Sequence, residues 1–73
     1  MPRAKADIMI GRRMREEADR IFPSLTCAAK ALRCDRKNFT GWGNGDTPST
    51  LYLARIHYYG ADVIYILTGK RRA

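Results

Sequence analysis

The sequence predicts an all-α fold, a compact bundle of about five helices, and three observations predict it. No segment alternates apolar and polar residues with a period of two over a convincing length, which is the pattern of a half-buried strand. Apolar residues instead recur at helical spacing, first at Ile10, Met14, Ala18 and Ile21 with charges between them. Caps and breakers punctuate the rest: Pro23-Ser24, Asp35, the "GNG" of residues 43–45, Thr47-Pro48, Gly60, Asp62 and Gly69. They leave connections of about two to five residues, normal for a small helical domain.

The first helix is predicted from about Ala6 to Ile21, and Pro23 ends it. Ser24 is the expected N-cap of a short second helix, Leu25 to Leu32, whose "CAAKAL" is alanine-rich and helix-favouring. Ala28, Ala29 and Leu32 are expected to face inward, and the small pair allows another helix to approach closely. After a quick turn, Asp35 caps a third helix, its charge suiting the positive end of the helix dipole. Phe39 and Trp42 lie three apart and share the inward face. Lys37, Thr40, Gly41 and Asn44 fall roughly opposite, with Arg36 at the N-terminal edge. "GNG" supplies a left-handed C-cap. Thr47-Pro48 is predicted to open the fourth helix with proline in the first turn, running to about Tyr59. Tyr52, Leu53, Ile56 and Tyr59 are assigned to the core and Arg55 to water. Gly60 stops that helix. Asp62 caps a last short one, "VIYIL", which Gly69 closes, and residues 70–73 read as a frayed basic tail.

At 73 residues the chain reads as a single domain, 1–73, near the lower size limit for a self-sufficient core. Its 45% hydrophobic content sets it apart from a disordered polycation. The formal net charge of +7 suits an anionic partner. That excess is local: Arg12, Arg13, Arg15 and Arg20 alternate with Glu16, Glu17 and Asp19. Residues 25–45, by contrast, carry Lys30, Arg33, Arg36 and Lys37 against Asp35 alone. No apolar run is long enough to span a bilayer and no secretory signal is visible, so a cytoplasmic protein with no membrane partner is expected. Cys27 and Cys34 are then reduced and serve as small core residues. Their spacing, with His57 far along the chain, offers no metal site, and no cofactor is implied. No nucleophile–base pair can be read out, so the expectation is a protein that is not an enzyme.

A short helix, a tight turn and a second helix with an outward basic face describe a helix-turn-helix unit at about residues 25–44. Here the sequence resembles the Cro and lambda-type repressor family of phage and bacterial DNA-binding domains, over roughly residues 10–69. The family's inward positions fall on Ala28, Ala29, Leu32, Cys34, Phe39 and Trp42, all apolar. "WGNGDTPS" resembles the tryptophan, asparagine-glycine and proline signature after the recognition helix, and "GADVIYILTGKR" the closing segment of many phage repressors. Two positions depart from the pattern. Arg33 stands where the family has a left-handed glycine, at a cost of about 1 kcal/mol. Gly43 stands where glutamate is frequent.

The resemblance implies that the third helix enters the major groove, with Arg36, Lys37, Thr40 and Gly41 facing base edges. Ser24, Thr26, Lys30, Arg33 and Asn44 would hold phosphates, while Ala28, Leu32, Phe39 and Trp42 anchor the unit. Surplus apolar residues at Leu51, Tyr58, Ile64 and Tyr65 suggest a two-fold homodimer interface small enough to form on DNA. The expected partner is double-stranded operator DNA and the expected role transcription regulation, with a Cro-like repressor as the leading form. A protein-interaction module of antitoxin type that binds DNA secondarily is the alternative. The short, defined recognition helix argues against a nonspecific nucleoid-type binder.

Overall fold

The computed structural model describes the backbone of residues 5–71 and the side chains of residues 8–71, and all regular structure among them is helical. Its helices are α1 (Lys5–Ile21), α2 (Leu25–Leu32), α3 (Arg36–Gly43), α4 (Thr50–Tyr58) and α5 (Val63–Thr68). None of them is long and apolar enough to cross a membrane.

Three helices start where a side chain takes an otherwise unpaired backbone N–H. Ser24 Oγ accepts from Cys27 N–H at 3.2 Å, Asp35 Oδ1 from Lys37 N–H at 3.0 Å, and Asp62 Oδ1 from Tyr65 N–H at 2.9 Å. α2, α3 and α4 also end alike. After each, one residue turns left-handed and a backbone N–H reaches five residues back: Cys34 to the Ala29 carbonyl, Asp46 to Gly41, Ala61 to Ile56. The left-handed residues are Arg33 (φ 55°), Gly45 (φ 108°) and Gly60 (φ 94°). Arg33 takes the conformation that its place in the turn demands, although it is not glycine.

α1 packs against α3 and α5, while α2 meets α3 and α4. The α1–α3 contact is backbone to backbone. A Cβ on Gly11 would collide with the Asp46 carbonyl oxygen and stand 2.7 Å from that of Trp42, so only glycine lets the two elements meet. Met14, Ala18, Ala28, Leu32, Phe39, Trp42, Ile56 and Ile66 form the centre of the core. Phe39 and Trp42 meet edge to face, centroids 4.9 Å apart, and the indole lies 5.6 Å from the Tyr52 ring.

Several expectations are corrected. α4 begins at Thr50 rather than at Thr47-Pro48, because Ser49 is extended (ψ 162°) and Pro48 is buried in the connection. Arg55 does not simply face water. Its Nη1 donates to the Leu32 carbonyl at 2.8 Å, satisfying an acceptor that the end of α2 leaves open. Tyr59 lies at the core's edge, 43% exposed, with its ring against Phe22. Cys27 is exposed; Cys34 is half-buried, and burial pushes its thiol up. The basic tail is not frayed at Arg71, which pairs with Glu17 at 2.7 Å and lies over the Tyr65 ring. Residues 72–73 lie outside the described residues.

Candidate nucleic-acid interface

α3 presents two unlike sides. Phe39 and Trp42 are buried, with Trp42 only 4% exposed, whereas Arg36, Lys37, Thr40 and Asn44 are all exposed. The spacing explains the division, since residues three apart share a face and those near 37, 40 and 44 fall opposite. On the preceding element, Thr26 and Lys30 of α2, its N-cap Ser24 and Arg33 in the turn after it are also all exposed.

The basic residues divide by what they do. Arg13 Nε donates to the Ile66 carbonyl at 2.9 Å, Arg55 closes the end of α2, and Arg20 and Arg71 pair with buried Glu17. These four are structural. Lys30, Arg33, Arg36 and Lys37 take part in no ion pair among the described residues. Elsewhere, Arg12 and Lys70 share that condition, as do Arg13 and Arg55, which donate to backbone carbonyls instead. Among the described residues, most of the positive charge not engaged inside the fold therefore lies on α2, α3 and the turn between them.

No protein-family model, characterised protein or solved structure matches this chain.

Gly41 lies on the shoulder of the outward side, half-buried rather than open. A Cβ there would stand 2.6 Å from Oδ2 of Asp46. The Asp46 carboxylate thus occupies the space that a side chain at 41 would take. The sequence alone does not place Asp46 against Gly41. Its one local signal is "GNGD", because the residue after a left-handed glycine folds back over the last helical turn.

The residues assigned to a dimer interface differ in their surroundings. Leu51 and Tyr58 are exposed, at 54% and 84%, on one side of α4. Ile64 is 44% exposed and lines a groove of about 770 Å3 between α4 and α5, with Leu53, Ala54, His57, Val63 and Leu67. Tyr65 is engaged within the protomer: its hydroxyl donates to the Glu16 carboxylate at 2.9 Å. Leu67, not assigned from the sequence, is as exposed as Ile64. Among the described residues no group of three His, Cys, Asp or Glu is placed to hold a metal ion.

Proposed function

We propose that this protein binds double-stranded DNA sequence-dependently through α3, as a two-fold homodimer, and regulates transcription as a Cro-like repressor. The observation that carries the reading is the division of positive charge. Arginines that face the fold are engaged there, while Lys30, Arg33, Arg36 and Lys37 are left exposed on a helix pair whose reverse side is pinned by Phe39 and Trp42. A helix fixed by buried aromatics holds its outer side chains in register, which base reading requires. In this reading α2 and α3 are a helix-turn-helix and α3 lies in the major groove. Arg36 and Lys37 offer donors to guanine O6 and N7, and Thr40 a methyl to thymine. Ser24, Thr26, Lys30, Arg33 and Asn44 hold phosphates and set the register.

A single α3 reads only a few base pairs, too few to define an operator. Two related by a dyad sit about 34 Å apart in successive major grooves. A protomer measuring 33 × 31 × 19 Å is of suitable size for that spacing. The α4–α5 groove, with Ile64 and Leu67 among its lining residues, is the apolar surface that supports pairing; Tyr65, whose hydroxyl bonds Glu16, does not line it.

Selection of bound sites from random duplex DNA tests the reading. The expected result is a palindrome, bound by two protomers in sedimentation, with affinity falling steeply with salt. Arg36→Ala or Lys37→Ala should cost about 1–3 kcal/mol and relax preference at one position per half-site. Retained preference in both variants, or binding of one protomer per site, counts against it. The competing antitoxin-type module draws on the same apolar groove and is favoured if no sequence is enriched.

A further inference from the structure

We infer that the cleft lined by Arg33, Arg55, Tyr58 and Tyr59 is a docking site for an acidic segment of another protein, which sets a carboxylate on the guanidinium groups and an apolar side chain on the tyrosines. That site is separate from the surface proposed to read DNA and meets it only at Arg33.

The cleft has a volume of about 410 Å3, and its remaining lining residue is Ala31, so no carboxylate lines it. Asp35, the acid nearest to Arg33 in the chain, is turned to the Lys37 N–H. Arg55 is held in place. Its Nη1 donates to the Leu32 carbonyl at 2.8 Å and to the Arg33 carbonyl at 3.5 Å, and its guanidinium lies 5.6 Å from the centre of the Tyr52 ring. Those bonds counter the partial negative charge at the end of α2. A guanidinium also donates from Nε and Nη2, which these bonds leave for a ligand. Arg33 is exposed, and its side chain enters no ion pair among the described residues. The tyrosines are stepped. Tyr58 and Tyr59 meet edge to face with centroids 5.3 Å apart, and Tyr59 meets Phe22 in the same way. Tyr58 is nonetheless 84% exposed.

Two features select the occupant. Two guanidinium groups in one cleft with no carboxylate favour an anion, and arginine pairs equally well with carboxylate and phosphate. The tyrosines decide between them. A phosphate offers no apolar surface to cover an exposed ring, whereas a peptide segment does. Arginine and tyrosine are also the residues on which protein interfaces concentrate their binding energy. The cleft lies at the C-terminal end of α2. Ser24 and Thr26, proposed above to hold phosphates, stand at the other end of that helix of 8 residues, roughly 12 Å away. Arg33 alone is common to both uses. A docked segment takes it from DNA, so filling the cleft should lower affinity for a duplex.

The test is selection from a random peptide display library with the wild-type protein. Enriched peptides should carry aspartate or glutamate beside an apolar residue. One such peptide, made synthetically, should bind about tenfold more weakly to Arg33→Gly and to Tyr58→Ala, each checked for folding by thermal melting. Arg12→Ala removes the same charge from an exposed position on α1 outside the cleft, and binding should stay within about twofold of the wild type. The peptide should also weaken duplex binding by the wild type but not by Arg33→Gly. No enrichment, enriched peptides that lack an acid, or an equal loss in Arg12→Ala and Arg33→Gly would overturn the docking site and leave the α3 reading untouched. So would inorganic phosphate that shifts the Tyr58 and Tyr59 amide resonances at the concentration where the peptide does, since the cleft would then be a phosphate site. A protein that binds the peptide as expected but no duplex keeps the docking site and loses the α3 reading.

Discussion

α1 holds its two principal neighbours by opposite means. Against α3 it offers Gly11, a backbone-to-backbone approach beside the Phe39–Trp42 pair. Against α5 it offers a carboxylate with no exposed surface. Glu17 accepts from Arg20 at 2.6 Å, from Arg71 at 2.7 Å and from the Asp62 N–H at 3.2 Å. One carboxylate therefore grips α5 at its N-cap and just beyond its end, and Arg13 adds a bond to the Ile66 carbonyl. The helix proposed to read DNA is fixed by shape, while the segment proposed to pair protomers is fixed by charge. Shape does not titrate and is not screened. The two halves should consequently respond differently to substitution, acid and salt.

Trp42→Ala attacks the shape-held side most directly. Truncating a buried tryptophan typically costs about 3–5 kcal/mol, comparable to the whole stability of so small a domain. Circular dichroism melting should show an unfolded or barely folded protein. Melting near that of the wild type would place the indole outside the core.

Gly11→Ala tests the same seam from the α1 side. The new methyl meets two carbonyl oxygens rather than a flexible side-chain end, so α1 and α3 must separate. About 3 kcal/mol is expected, the upper end of ordinary overpacking. Urea denaturation measures it, and an unchanged midpoint would mean the seam is loose enough to admit a side chain.

The charge-held side breaks with acid. Burial by itself would raise the pKa of Glu17, but the bonds from Arg20, Arg71 and the Asp62 N–H outweigh it and hold the group at about 2, against an ordinary 4.5. The unfolded chain therefore takes up this proton more readily than the folded one. The stabilisation is fully present above about pH 5 and is lost as pH falls toward 2. Its size is on the order of 3 kcal/mol at most. Amide exchange followed by NMR between about pH 5 and 2.5, corrected for intrinsic rates, should show the Ile66 N–H losing protection before the amides of α3. Glu17→Gln should be less stable near neutrality and should lose most of this acid dependence. Simultaneous loss in α3 and α5 would mean that the two contacts are not separate units.

These contrasts also mark what the sequence made legible. Ser24, Asp35 and Asp62 were read as caps, and Phe39 and Trp42 as the inward pair, because capping and helical periodicity act within a few residues. What escaped depends on partners distant in the chain. Gly11 looked like any glycine in a helical pattern until the Trp42 and Asp46 carbonyls came against it. Arg55 and Arg71 read as exposed in the sequence, as any charge with no local partner does. Their partners lie at Leu32 and Glu17, many residues away. The place of Asp46 depends on the fold in the same way: only the folded turn brings its carboxylate to Gly41. Tyr65 reads only as surplus apolar surface in the sequence, since Glu16, which accepts from its hydroxyl, stands far away in the chain.

Arg33 is the smallest and most discriminating test, since it asks whether local strain serves binding. α2, α3 and α4 share one kind of ending, yet the left-handed position is glycine after α3 and α4 and arginine after α2. Gly60→Ala isolates the penalty, because a Cβ there would meet nothing within 4 Å; about 1–2 kcal/mol of destabilisation is expected. Arg33→Gly runs the other way. It removes that strain but restores freedom to the unfolded chain, so a net gain of only about 0.5–1 kcal/mol should appear in the melting curve. If Arg33 holds a phosphate, the same variant should bind every duplex more weakly, and its logarithmic salt slope should shrink by about one. A protein made more stable yet poorer at binding would show that the strained arginine is kept for its charge. A gain in stability with an unchanged salt slope would remove Arg33 from the interface. A loss of stability would mean that the arginine stem contributes more through packing than its backbone conformation takes away.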